Sequence, residues 1–484
     1  MSRALFRAAS AAGSSALLLG ALACSDSNPT DAPVSKVVLK DNSVTPSLIR
    51  SLVTGLNIYS VVGSDDVLPE SPNFIFGGSA DGAGFLRNAN GTFTALVNHE
   101  DNFAVSRITF DSTFKATKGE YLVNSTAGKY RLCSATLATV EEHGFGPLFL
   151  TAGESGEESQ ILAVNPFGGP NTPTYLTGLG RVSAENATPL PKNAYAGKTV
   201  IIVGDDDSGA EGGQIFLYVS NTVGDLNNGK LYTLSRTNDV TRERDMVVGQ
   251  TYPIAFREIV GHTGMTGRQI QLATVANKNV AFGRVEDIDY RKGGTGRELY
   301  VAVTGQNTTG VNAAFDRTKY GRVYRLTLDA ADPLKGNLEV ILDGDDRTGP
   351  ARQFQNPDNI YVGTNFVYVQ EDDNGYGDET HDAYIYQYNI ASKELKPVLA
   401  LDHRRTQSDA AKYNAAGARP ADKAGWEYGA MLDVSAQLGI DDTFLIALQP
   451  HSWNGTKYVN ADGGTLRPNE NQASMLVLVK GLPR

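Results

Sequence analysis

A chain of 484 residues with 43 Lys and Arg against 54 Asp and Glu carries a formal net charge of −11. That balance argues against nucleic-acid binding, which needs a basic patch to neutralise phosphates, and it suits cation binding. The length admits either about three domains of roughly 150 residues or one large all-β barrel or propeller; the 51 glycines and short runs of Val, Ile, Tyr and Phe favour short strands and many turns over long helices.

The chain opens with Arg3 and Arg7, an apolar run from Ala8 to Ala23, and Cys24. The run is shorter than the ~20 apolar residues of a permanent span and reads as an export signal. Ala21-Leu22-Ala23-Cys24 resembles a bacterial lipoprotein cleavage box, with Ala where Leu is usual. On that resemblance residues 1–24 are a lipoprotein-type signal peptide and Cys24 carries lipid. The protein is then exported and membrane-anchored at the cell envelope. An ordinary signal peptide with an incidental cysteine is the alternative, and there is no twin-arginine pair. Residues 25–35 are polar and contain proline, which predicts a flexible tether; residues 36–484 are expected to form a single domain. The only other cysteine is Cys133. With Cys24 lipidated it has no disulfide partner, so it is either a buried inert thiol or one held by metal ligation or nucleophilic chemistry.

Along the body one pattern recurs: a hydrophobic strand ends in acidic or polar residues, and a second β-rich strand returns. The copies are 96–101 with 105–110, 148–154 with 160–164, 200–207 with 214–219, 299–305 with 321–328, 366–373 with 383–390, and 444–451 with 475–479. Further strands are expected at 229–234 and 339–342. Repeated strand pairs of this kind predict an all-β, six-bladed β-propeller with loop and short-helix insertions near 221–280 and 391–430. A pair of β-sandwiches is the alternative, but it would not require strands ending in acids at corresponding places. Helical signals are few. Residues 407–424 are alanine-rich but broken by Gly417 and Pro420, and 432–438 has room for one or two turns.

In a propeller, equivalent strand ends converge at one mouth of the channel. The acids at those ends are Glu100, Asp101, Glu154, Glu157, Glu158, Asp205, Asp206, Asp207, Glu211, Glu371, Asp372 and Asp373. Taken singly, each reads as a solvated turn residue. Taken together, converging carboxylates repel one another without a counter-charge, and Ca²⁺, with about six to eight oxygen ligands, resolves the repulsion. There is no helix-loop-helix calcium loop, Gly-x-Ser-x-Gly elbow, His-Glu-x-x-His helix, phosphate-binding loop or dinucleotide fingerprint. Of six scattered histidines, His99 and His451 sit at strand ends.

Several segments, read in order across roughly residues 70–480, resemble the PhoX alkaline phosphatase family. They are Asn98-His99-Glu100, Arg131-Leu132-Cys133-Ser134, Thr151-Ala152-Gly153-Glu154, Gly204-Asp205-Asp206, Arg284-Val285-Glu286-Asp287, Asn356-Pro357-Asp358-Asn359, Trp426-Glu427-Tyr428-Gly429 and Gln449-Pro450-His451. The resemblance implies a six-bladed propeller and a metal-dependent phosphomonoesterase acting on a small phosphate ester. It also implies a cluster of iron and Ca²⁺ at the channel mouth, with a cysteine thiolate bridging the irons. Carried over residue by residue, Cys133 is the bridging ligand, Glu286 a metal ligand and Arg284 a phosphate contact. Glu100, Glu154, Glu211 and Asp358 are further ligands. Arginine suits the phosphate role because its planar fork matches phosphate oxygens. Two departures stand out. Val285 replaces the family's proline, and Thr-Ala-Gly-Glu replaces Thr-Cys-Glu-Glu, which makes Glu157 or Glu158 a candidate for the displaced glutamate. Two further readings stay open: a calcium-dependent phytase-like or lactonase-like propeller enzyme, and a non-catalytic, surface-anchored binding propeller.

Overall fold

The computed structural model describes residues 37–372, 375–414 and 425–484. The expected signal peptide, Cys24, the tether and Asp373 lie outside the described residues. In chain order the strands are β1 (Ile49–Ser51), β2 (Asn57–Gly63), β3 (Ala80–Arg87), β4 (Phe93–His99), β5 (Ala104–Phe110), β6 (Ala116–Val123), β7 (Leu132–Ala138), β8 (Leu148–Gly153), β9 (Leu162–Val164), β10 (Thr174–Tyr175), β11 (Ala184–Pro189), β12 (Thr199–Asp205) and β13 (Gln214–Ser220). They continue as β14 (Lys230–Arg236), β15 (Thr251–Glu258), β16 (Val285–Tyr290), β17 (Glu298–Val303), β18 (Arg322–Leu328), β19 (Lys335–Asp343), β20 (Pro357–Val362), β21 (Phe366–Glu371), β22 (Tyr384–Asn389), β23 (Leu395–Leu401), β24 (Glu427–Asp433), β25 (Thr443–Gln449) and β26 (Met475–Lys480).

The architecture is all-β and propeller-like. Four sheets stand as separate blades: β3-β4-β5-β6, β10-β9-β8-β7, β1-β23-β22-β21-β20 and β2-β26-β25-β24. The rest is one nine-stranded sheet, β11-β12-β13-β14-β15-β19-β18-β17-β16. Six separate blades were expected; the structure corrects this to four blades plus that long sheet. The cause is β15. One edge of it pairs β14 (Leu234 opposite Phe256), and the other pairs β19 (Thr251 opposite Glu339), which joins two meanders. Alternating burial of Ile254 and Phe256 gives β15 its strand character, although it falls in a segment read from sequence as an insertion.

All six strand pairs read from the sequence form, as β4-β5, β8-β9, β12-β13, β17-β18, β21-β22 and β25-β26. The first strand of each pair is almost wholly buried on both faces, as in β12 and β25, because sheets pack against it from either side. Inside them runs a ring of innermost strands in contact, β3 to β7 to β11 to β16 to β20 to β24 and back to β3. The ring is tight enough to demand glycine. A Cβ on Gly82 would lie 2.4 Å from the Ala135 nitrogen and 2.5 Å from the Cys133 oxygen, and one on Gly429 would lie 2.5 Å from the Ala80 oxygen. The circle is closed by β2, which pairs the chain's last strand, with Ile58 opposite Val479.

Of the expected helical stretches, 407–424 yields a turn at Ala410–Tyr413 among the described residues, and 432–438 yields Ser435–Leu438. A ten-residue helix, Gly267–Ala276, was not anticipated. Its start carries a capping box, Thr266 with Gln269, but its buried face includes Gln271 and Thr274, so it shows no apolar periodicity. Among the described residues no helix is long and apolar enough to cross a membrane.

Candidate metal centre

Each innermost strand opens in the same way. Its first residue pairs the last residue of the next strand: Ala80 with His99, Leu132 with Gly153, Ala184 with Asp205, Val285 with Val303, Pro357 with Glu371 and Glu427 with Gln449. The register then slips before pairing resumes. Such a bulge re-aims the side chain caught in it. The residues at that place are Asp81, Cys133, Glu185, Glu286 and Asp358; in β24 the second residue, Tyr428, still pairs Leu448 and the slip follows it, and the acid is the first residue, Glu427. A second row consists of the residue that follows each second strand: Glu100, Glu154, Asp206 and Asp372, with Thr304 and Pro450 in the other two places. Every acid in these two rows, and Cys133, lines one cavity of about 360 Å³, together with Asp101, Arg131, Arg284 and His451.

The pleat sorts the paired strand-end acids. Asp206 faces the cavity, while Asp205 accepts from the Gln271 amide at 3.0 Å. Asp372 faces the cavity, while Glu371 meets His381 at 2.9 Å and the Gln355 N–H at 2.8 Å. Of the residues singled out from sequence, the structure brings Cys133, Glu286, Glu100, Glu154, Asp358 and Arg284 together on the cavity wall. Glu211 is not among them. Five residues past Asp206, it pairs with Arg268 at 2.8 Å on the helix flank, away from the cavity wall. Glu157 and Glu158 also point elsewhere, towards Arg268 and Arg181; Glu154 itself holds the strand-end position. His99 is structural, with Nε2 2.7 Å from the Ser106 hydroxyl.

Among the described residues, four groups of three side chains have ligand atoms within 4.8 Å of one another: Asp81–Cys133–Glu185, Glu100–Cys133–Glu154, Glu185–Glu286–Asp358 and Asp358–Asp372–Glu427. They form a chain, because Cys133, Glu185 and Asp358 each belong to two groups. Burial pushes the carboxyls of Asp81, Glu154, Glu185, Glu286 and Asp358 well above their ordinary range, and neighbouring carboxylates add to it. Burial also raises the Cys133 thiol, helped by Glu185 and Glu100. Its Sγ lies 3.2 Å from Glu154 Oε2.

The cationic groups are few. Arg284 is bidentate on Asp206, at 2.8 Å from Nε and 2.8 Å from Nη2, and reaches Glu286 at 2.9 Å. Arg131 spans Glu100 at 3.1 Å, Asp101 at 3.4 Å and Glu154 at 3.8 Å. His451 lies 2.6 Å from Glu427 and 2.8 Å from the Gln472 side-chain oxygen. Burial alone would lower its pKa, but Glu427, Asp101 and Glu100 together outweigh burial and bring it to about 9.

The donor set fits bound cations. Three buried oxygens on the cavity wall, Asp81 Oδ1, Gln449 Oε1 and Asn454 Oδ1, have no hydrogen-bond partner among the described residues, which is costly unless a cation or water meets them. The two groups around Cys133 mix thiol and carboxylate and suit a transition metal. The two all-oxygen groups suit a hard cation such as Ca²⁺. Asp81 and Glu185 were not singled out from sequence. Both are the second residue of an innermost strand, as Cys133, Glu286 and Asp358 are, and that shared position is the signal that finds them.

Compared with known proteins, the chain matches no family model, and no curated protein matches its sequence. Its fold is similar to that of Pseudomonas fluorescens PhoX, solved in complex with vanadate, a transition-state analogue. The TM-score is 0.62 at 12% identity, covering 91% of this chain and 98% of that one. An α-L-arabinofuranosidase of Fusarium graminearum, in complex with an iminosugar inhibitor, is a more distant match. Its TM-score is 0.39 at 11% identity, over 84% of this chain and 96% of that one.

Proposed function

We propose that this chain is a metal-dependent phosphomonoesterase of the PhoX kind, built on the propeller-like arrangement of four blades and one nine-stranded sheet. The observation that carries the reading is the chain of four ligand groups hinged on the Cys133 thiol, with Arg284 on the same wall. The likeness of the fold to PhoX bound to a transition-state analogue adds support. On this reading the groups containing Cys133 hold iron, and the all-oxygen groups hold Ca²⁺. Bound cations supply Lewis-acid polarisation of phosphoryl oxygens.

The chain's own residues do the rest. Asp206 and Glu286 fix the Arg284 guanidinium at the wall, where it is aimed at the charge on the phosphoryl group. His451 keeps a proton beside Glu427 up to a pH of about 9. The polar wall favours a small phosphate ester over an apolar substrate. Ligation by oxygen alone would suit a calcium-only propeller enzyme; the presence of Cys133 in two of the four groups favours the thiolate-containing centre.

The test is hydrolysis of para-nitrophenyl phosphate by residues 25–484 expressed through an export route, with elemental analysis of the same sample. Iron at about two per chain together with calcium is expected. Cys133→Ala and Glu286→Ala should each lower the rate by about a hundredfold or more with the β-sheet signal unchanged. Full activity in both variants would sink the reading. We also propose that Cys24 anchors the exported protein to the membrane through lipid. Cys24→Ala should lose labelled palmitate, and label retained in that variant would refute the anchor.

A further inference from the structure

Glu243 is a fully buried carboxylate outside the metal-centre cavity, in the turn Glu243–Asp245. Its Oε2 accepts from the Gly283 N–H at 2.9 Å and from the Thr318 N–H at 3.0 Å, and its Oε1 accepts from the Tyr324 hydroxyl at 2.7 Å. Arg322 donates to the Glu243 carbonyl at 3.2 Å, which places a cation beside the buried charge. The next residue after Gly283 is Arg284, with φ at +69°. A non-glycine residue holds that left-handed backbone only where its surroundings impose it.

The surroundings here are explicit. The Gly283 N–H is held by Glu243, the Gly283 carbonyl accepts from the Gly305 N–H at 2.7 Å, and the Arg284 carbonyl accepts from the Thr304 N–H at 3.1 Å. The peptide that leads into Gly283 is thus clamped by a carboxylate 40 residues away in sequence, and the next one, which leads into Arg284, is held through its carbonyl by the Gly305 N–H.

We propose that Glu243 is a positioning residue for Arg284: it fixes the strained backbone that aims the guanidinium into the cavity, and so sets affinity for the phosphoryl group. The inference rests on the reading of Arg284 as an anion contact. The test is calorimetric titration of the metal-loaded full chain with inorganic phosphate, with KM and kcat for para-nitrophenyl phosphate and Tm measured alongside. Arg284→Ala should weaken phosphate binding by about tenfold or more. Glu243→Ala should weaken it by a similar factor and raise KM more than it lowers kcat, and the double variant should bind no worse than Arg284→Ala alone. Glu243→Gln keeps an acceptor at the same reach and should stay within about twofold of the parent. Glu243→Asp keeps the charge, withdraws the acceptor by one methylene and should lose affinity several-fold, which settles the matter if the alanine variant does not fold. Unchanged affinity in Arg284→Ala overturns the functional reading and this inference with it. Affinity lost in Arg284→Ala but kept in both Glu243→Ala and Glu243→Asp, or losses that add in the double variant, overturns this inference alone.

Discussion

Burial raises the Cys133 thiol and the Asp81 and Glu185 carboxyls beside it, and each charge raises the next. Left alone, such groups hold protons; a cation reverses the preference, because ligands bind metal deprotonated. Asp81→Asn and Glu185→Gln are nearly isosteric and remove a charge from groups that contain or adjoin Cys133. Each should lower metal content measured by elemental analysis and cut the proposed phosphatase activity by about tenfold to a hundredfold or more. Normal metal content in both variants would remove these residues from the centre. Neither residue was singled out from sequence, because neither belongs to an acidic cluster: Asp81 lies among Ala and Gly, and Glu185 between Ala and Asn. Glu211 misled for the converse reason. It is an acid close to an acidic strand end, but the loop carries it to Arg268.

At the scale of elements, legibility follows hydrophobicity. The strand pairs read from sequence are the second and third strands of each meander, whose continuous apolar runs come from burial between neighbouring sheets; the two further strands expected at 229–234 and 339–342 form as the fourth strands β14 and β19. The innermost strands were invisible by that criterion. Segments such as β3, with the sequence ADGAGFLR, and β11, with AENATP, begin with small and polar residues, since their starts face the cavity and neighbouring backbones rather than core. The same small residues make the ring sensitive. Gly82→Ala would drive a methyl group to 2.4 Å from the Ala135 nitrogen and 2.5 Å from the Cys133 oxygen, both backbone atoms that cannot swing aside. It should cost about 1–3 kcal/mol in thermal or denaturant unfolding and lower metal content by displacing Cys133. Parental stability and metal content would show that the ring tolerates expansion. β15 escaped for a different reason: a strand shared between two meanders has no place in a repeat of strand pairs, so the six-fold pattern read from sequence became four blades and one long sheet.

For the whole molecule, the metal-free and metal-loaded proteins should respond differently to pH. Carboxyls whose folded pKa lies above the unfolded value contribute stability at low pH, and that stability is lost as pH rises through the folded pKa. Asp287, raised by burial to about 7, and Glu427, raised by burial and Asp372 to about 8, place the loss in the neutral range, and His451, brought to about 9, acts in the same sense. His99, His143 and His403 act oppositely. Burial lowers each to about 4 from 6.5, so their contribution is complete above 6.5 and is lost as pH falls below it. Above pH 6.5 only the first set changes. In chelator, Tm should therefore fall between pH 6.5 and 8.5, and in calcium and iron the slope should largely vanish. A flat Tm in chelator across that range would mean that the buried carboxyls are already compensated without metal.

Ring closure has a consequence for biosynthesis. The bond between Ser64 and Ser474 joins residues 410 apart, and β2 finds its partner only in β26. A growing chain holds β2 in waiting until nearly all of the body has left the ribosome. Until then β24 and β3 have no reason to meet, and Asp81 and Glu427 stand on opposite sides of a gap. On the proposed reading, metal uptake would therefore be a late event that registers completion of synthesis, and a nascent or clipped chain would be a poor ligand rather than a partly active one.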